Sequence, residues 1–112
     1  MTAPTPTVAD VLEKAADLIS APGAWTQGVF ARTENGGIVS PSSPLAVCYC
    51  MRGALYRASG RNLSDSLASL NKALGFSSEK EMTRWNDDIA RTQNEVVAAL
   101  RSAATLARES AK

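Results

Sequence analysis

Few residues in this chain are able to do chemistry. Asp87 and Asp88, with Glu79 and Glu81 a short way upstream, form the densest group of carboxylates. Acids this close could hold Mg²⁺ or divide the roles of general acid and base in a hydrolase. Paired acids beside a helix start are also ordinary cap and turn formers, and that reading is preferred. Cys48 and Cys50 are the two thiols, and there is no histidine. Without histidine the usual Ser-His and Cys-His nucleophile pairs are absent. Two cysteines alone cannot complete an ordinary structural zinc site. No P-loop, no G-x-G-x-x-G and no G-x-S-x-G occurs, and Gly36-Gly37 is too short to cradle a phosphate. The sequence leans away from an enzyme and implies no metal or cofactor.

The stretch Trp85 to Thr92 has the most unusual composition: an aromatic, an amide, two acids and an arginine between two helical patterns. Tryptophan and arginine are favoured interface anchors. Trp85, Asn86, Asp87 and Arg91 are therefore candidate binding residues, joined by Arg52, a lone charge in an apolar run. The competing and preferred reading puts Trp85 in the core. Asn86 and Asp87 then tie down the connection, through backbone bonds or to Arg91 or Arg52.

These residues must be positioned by a chain of 112 residues, one domain's worth, long enough to bury a core without staples. With 45% hydrophobic and 21% charged residues it reads as globular. Alanine is abundant and aromatics are 5%, which points to close helix packing. Twelve basic against 11 acidic residues leave a net charge of +1, without the basic footprint expected of a nucleic-acid binder. Arg52, Arg57 and Arg61 could form a local basic patch, although scattered solvated or paired arginines are the better reading. No apolar run approaches the roughly 20 residues that span a bilayer, and Met1–Thr7 lacks the pattern of a signal peptide. The expected compartment is the cytoplasm, with both thiols reduced.

Residues 1–7 read as a flexible arm and residues 8–112 as a single helical domain. Thr7 caps a first helix, and Val8, Val11, Leu12, Ala15, Ala16 and Ile19 supply its apolar stripe. Pro22-Gly23 stops it. At about residues 24–40 a β-hairpin is expected, with Ala24–Arg32 turning at Glu34–Gly37 and returning as Ile38-Val39. Ser43-Pro44 then opens a helix over Leu45–Tyr56, apolar on nearly every face and therefore central. In it Cys48 and Cys50 would point about 200° apart, Gly53 and Ala54 would admit a close neighbour, and Gly60 would end it. A third helix starts at Asn62 and buries Leu63, Leu67, Leu70 and Leu74, closing at Gly75. Ser78 with Glu81 and Thr92 with Glu95 form capping boxes for two more. The fold class is mostly α, a compact bundle of about four to five helices around a central apolar helix, with one small β-hairpin.

Three blocks together resemble a family of small uncharacterised proteins of bacteria and phages: Trp25-Thr26-Gln27-Gly28, Cys50 to Ala58, and Trp85-Asn86-Asp87 with Arg91-Thr92 and Glu95-Val96. The likeness spans most of the chain. It departs at Asp88-Ile89-Ala90, where the family has small or proline residues. The resemblance implies a compact domain in a bacterial or phage setting and carries no catalytic residue across.

Three functions follow in order of preference. The first is a non-catalytic cytoplasmic binding or regulatory protein that docks on another macromolecule, for example as an inhibitor of a host system. Its partner is expected to be a protein, rather than nucleic acid or membrane, and self-association is left open. The second is a small-molecule or nucleotide binder using Arg52, Trp85 and Asp87. The third is an acid-dependent hydrolase using Asp87 and Asp88.

Overall fold

A computed structural model describes residues 7–59 and 63–110. In chain order the elements are α1 (Val8–Leu18), β1 (Ala31–Arg32), β2 (Cys48–Tyr49), α2 (Met51–Ser59), α3 (Leu63–Leu74), α4 (Glu79–Asp87) and α5 (Gln93–Ser110). The fold is mostly α with one small antiparallel β-hairpin, as its periodicities predict. The expectations at Gly60, Arg61, Asn62 and residues 1–6 of the arm lie outside the described residues.

Capping and small residues explain the outer helices. Thr7 Oγ1 accepts from the Asp10 N–H, and Asp10 Oδ2 accepts from the Thr7 N–H, a reciprocal box at the start of α1. Thr92 and Glu95 repeat it before α5. Val11, Leu12, Ala15, Ala16 and Ile19 of the α1 segment enter one core with Val96, Ala99, Leu100, Ala103 and Ala104 of α5. The alanines let these two helices form the most extensive pairing of the molecule. Gln93 Nε2 donates to Ile19 O, left over where α1 ends, and to Ala21 O, which also accepts from the Ala24 N–H. Outside, Arg101 spans Glu13 and Asp17 at 3.4 and 3.0 Å.

The hairpin is built differently from the sequence expectation. The turn at Glu34–Gly37 does form, with the Gly36 N–H donating to Thr33 O and Gly36 at φ 84°. Ile38 nevertheless makes only an isolated bridge to Arg32, and Pro41, which has no N–H, follows shortly after. The partner of β1 is β2, pairing Ala31 with Tyr49 and Arg32 with Cys48. Trp25 adds a parallel bridge on the far side of Tyr49.

Consequently the helix expected over Leu45–Tyr56 begins only at Met51. A short, wholly apolar run suits a buried strand as well as a buried helix. Here Cys48-Tyr49 find β1, and Ser43-Pro44 caps no helix. The two cysteines therefore do not share a helix: Cys48 lies in β2 and Cys50 just before α2, both buried and free. α2 touches α1, α3, α4 and β2, which makes it central. It is not apolar all round, since Tyr56 and Arg57 face outward.

Gly53 lets the chain before β1 press against α2. A Cβ built there would lie 2.0 Å from the Phe30 carbonyl oxygen, and that oxygen is held by the Cys50 N–H. Alanine is about 1 kcal/mol better than glycine inside a helix. Gly53→Ala should still destabilise, by about 1–2 kcal/mol net, because overpacking against backbone outweighs propensity. Urea unfolding reads the sign, and a stabilised variant would contradict this contact.

Leu67 and Leu70 of α3 are buried, while Leu63 and Leu74 lie at the edge of the core. Gly75 follows at φ 74°, as a helix-ending glycine should. Ser78 caps α4 by accepting from the Glu81 N–H, whereas the Glu81 carboxylate turns to Ser77.

Candidate functional site

α4 ends where the unusual stretch begins, and its last residues insert into the loop that starts with Trp25. Asn86 is 2% exposed. Its Oδ1 accepts from Trp25 Nε1 at 2.8 Å and from the Met51 N–H at 3.0 Å. Its Nδ2 donates to Thr26 O at 3.3 Å and to Asp87 Oδ1 at 2.9 Å. One amide thus satisfies an indole, the first N–H of α2 and a loop carbonyl. Only an amide supplies acceptor and donors from one side chain of this size.

The neighbours complete the tie. Asp87 Oδ1 accepts from the Gly28 N–H at 2.9 Å. Gln27 Nε2 donates to Asn86 O, left over where α4 ends, and to Asp88 O, which also accepts from the Arg91 N–H. Asp88 Oδ1 accepts from the Ala90 N–H, the turn-forming role expected of such an acid. Cys50 Sγ accepts from the Gly53 N–H at 3.2 Å, in the manner of a helix cap. Burial pushes the Cys50 thiol up, against the opposing pull of the Gly53 and Arg52 N–H groups, so it is not an activated nucleophile.

The structure brings together only part of the candidate set. Asn86 and Asp87 sit in one knot with Trp25, Thr26, Gln27 and Gly28. Trp85 points elsewhere: its ring lies 6.1 Å from Phe76 and carries the Arg91 guanidinium 3.9 Å from its centroid. Arg91 also donates to Trp85 O and pairs with Glu95, so its polar atoms serve the connection. Arg52 pairs with Glu79 at 2.6 Å and lies 5.0 Å over the Phe30 ring. Glu79 is thus an arginine partner, and the described residues contain no group of three or more His, Cys, Asp or Glu that could hold a metal. Arg52, Asn86 and Asp87 do line one small cavity, with Cys50, Met82 and Phe30, but its 40 Å³ has room for little more than water.

Glu95 adds a pH dependence. Its carboxyl is held below the usual carboxylate range, first by the Thr92 N–H, then by the Thr92 hydroxyl, and less by Arg91. A depressed folded-state pKa stabilises above the unfolded pKa, about 4.3, and the benefit is lost as pH falls through the folded value. Glu95→Gln should therefore flatten the acid limb of melting temperature against pH. An unchanged limb would show that the box contributes nothing there.

Asp87→Ala separates a tie from a ligand group. It removes the acceptor of Gly28 N–H and Asn86 Nδ2, and losing a cap or a charged hydrogen bond typically costs about 1–2 kcal/mol. The melting temperature should fall by roughly 4–16 °C. Wild-type melting would show that the carboxylate is not part of this knot.

A different surface is open. Phe30, Ile38 and Tyr56, exposed to 44, 70 and 47%, are large apolar side chains around one groove. Val39, Ser40, Pro41, Leu63 and Arg52 complete the wall, and the groove encloses about 360 Å³. Ile89 is more exposed still, at 99%, but stands alone at the tip of its loop. Sequence reading missed this groove, because Tyr56 ends a run that reads as apolar on nearly every face and therefore central, and Ile38 reads only as the return strand of the hairpin. It also missed Trp25, Gln27 and Gly28 as partners of Asn86 and Asp87, although their blocks carry the family resemblance.

A family model described as a family of unknown function (DUF6197) matches residues 3–106. No curated protein and no solved structure matches the chain. No helix among the described residues is long and apolar enough to cross a membrane.

Proposed function

We propose that this chain, which belongs to the DUF6197 family, is a non-catalytic docking module that binds another protein through the Phe30–Ile38–Tyr56 face. The observation that carries this reading is a contrast in the use of side chains. Asn86, Asp87, Arg91 and Arg52, the groups with chemistry to offer, are taken up in bonds within the chain. Phe30, Ile38 and Tyr56 are instead left to water around a groove. Clustered exposed apolar side chains mark interaction sites far better than scattered ones do. A bacterial or phage cytoplasm, and a regulatory role such as inhibition of a host complex, belong to the same proposal. The near-neutral charge favours a protein partner over nucleic acid.

A photo-crosslinking residue in place of Ile38, in the full chain expressed in its source cell, tests this. One adduct should form at position 38 and not at a control position, Leu106. The identified partner, purified, should bind the wild type and lose affinity for Tyr56→Asp. The groove volume also falls in the small-ligand range, roughly 300–1,000 Å³, so a small molecule is the second reading. Thermal stabilisation by a nucleotide or metabolite, with no adduct at position 38, would replace the first reading with the second.

A further inference from the structure

The backbone beside the groove indicates the form of its occupant. β1 lies between β2 on one side and Ile38 on the other, with Trp25 beyond β2. The Trp25 edge is closed by Asn86 and Asp87, which bond to Thr26 O and the Gly28 N–H. The Ile38 edge is open. In its bridge to β1, Gly37 O accepts from the Thr33 N–H and the Val39 N–H donates to Ala31 O. An antiparallel pair with this pattern turns the N–H and C=O of the intervening residue, Ile38, outward. Neither group has a partner among the described residues. An exposed sheet edge of this kind is a template for another strand.

Charge adds a second constraint. Arg52 in the groove wall already pairs with Glu79 and offers no free charge. Arg57, one residue beyond Tyr56, donates to the carbonyls of Ser42 and of Pro41, which lines the groove, and has no carboxylate partner among the described residues. The rim therefore favours an acidic segment over a basic one.

Resting on the docking reading above, we infer that the occupant is an extended segment of a partner protein that adds as a strand to Ile38. It pairs with the Ile38 N–H and C=O, sets an apolar side chain between Phe30 and Tyr56, and brings a carboxylate to Arg57. The two main-chain bonds fix register, while the apolar side chain and the charge contribute most of the affinity.

The test is selection of a displayed random-peptide library on the immobilised full chain, followed by amide-shift mapping with the enriched peptide. The enriched peptides should alternate apolar residues and include an acid, and they should shift the amides of Gly37, Ile38 and Val39. N-methylation of the peptide residue facing Ile38 should weaken binding at least about tenfold, as should replacing its acid by lysine. Ile38→Asp should abolish binding without changing the melting temperature, since Ile38 is largely exposed. Peptides that bind this groove as helices, or tolerate N-methylation, would overturn the strand inference and leave the docking reading standing. Concentration-dependent shifts at Ile38 without peptide would make a second copy the occupant and also overturn it. Peptides enriched only elsewhere, with no adduct at position 38 in the cell, would overturn both.

Discussion

Asn86→Ala should be among the most damaging single substitutions in this protein, costing about 3–5 kcal/mol of stability. The side chain is buried, and its loss strands three groups at once: Trp25 Nε1, the Met51 N–H and Thr26 O. Each buried polar group left without a partner costs about 1–3 kcal/mol, and water entering the space would recover part of it. Asn86→Asp is the sharper variant. It keeps the acceptor but replaces the amide donors with an oxygen facing Asp87 Oδ1, so it should also be destabilised at neutral pH. Urea unfolding of Asn86→Ala, Trp25→Phe and the double variant closes a cycle, with coupling of about 0.5–3 kcal/mol expected between bonded residues. Additive effects would mean that indole and amide do not act on each other.

Leu55→Ala should cost about 2–5 kcal/mol, the range for a leucine truncated in a packed core. Leu55 has no exposure and lies in the same core as Val11, Leu12 and Leu100. α2 touches three other helices and β2, so the cavity has little freedom to collapse. Native-state amide exchange should show Ala54 and Leu55 among the slowest amides, opening only with global unfolding. Fast exchange across α2, or a loss well under 2 kcal/mol, would place Leu55 at a surface. Both variants act on α2, Asn86 at its capped first turn and Leu55 within its packed face. Combining them should therefore give less than additive losses.

Local signals alone determined much of the fold. Thr7 with Asp10 and Thr92 with Glu95 are caps whose chemistry is complete within four residues, so they form wherever the helix forms. The stripes Val11–Leu12–Ala15–Ala16 and Val96–Leu100–Ala103–Ala104 specify buried faces for the same reason, since 3.6-residue periodicity belongs to the segment itself. That Asn86 and Asp87 tie down the connection through backbone bonds was also legible, from an amide and an acid at a helix end. Tertiary structure decided the rest. Cys48-Tyr49 became a strand because β1 offered it a ladder, a partner sixteen or more residues away that no local window contains. Trp25, 61 positions before Asn86, supplies an indole donor whose need for a buried acceptor appears only once both elements meet. The groove is non-local for the same reason. Phe30, Ile38 and Tyr56 have the composition of core residues, and the path of the loop from Ile38 to Val47 leaves them uncovered. Hydrophobicity dictates that such side chains seek cover, but which ones obtain it within the chain depends on how its elements pack.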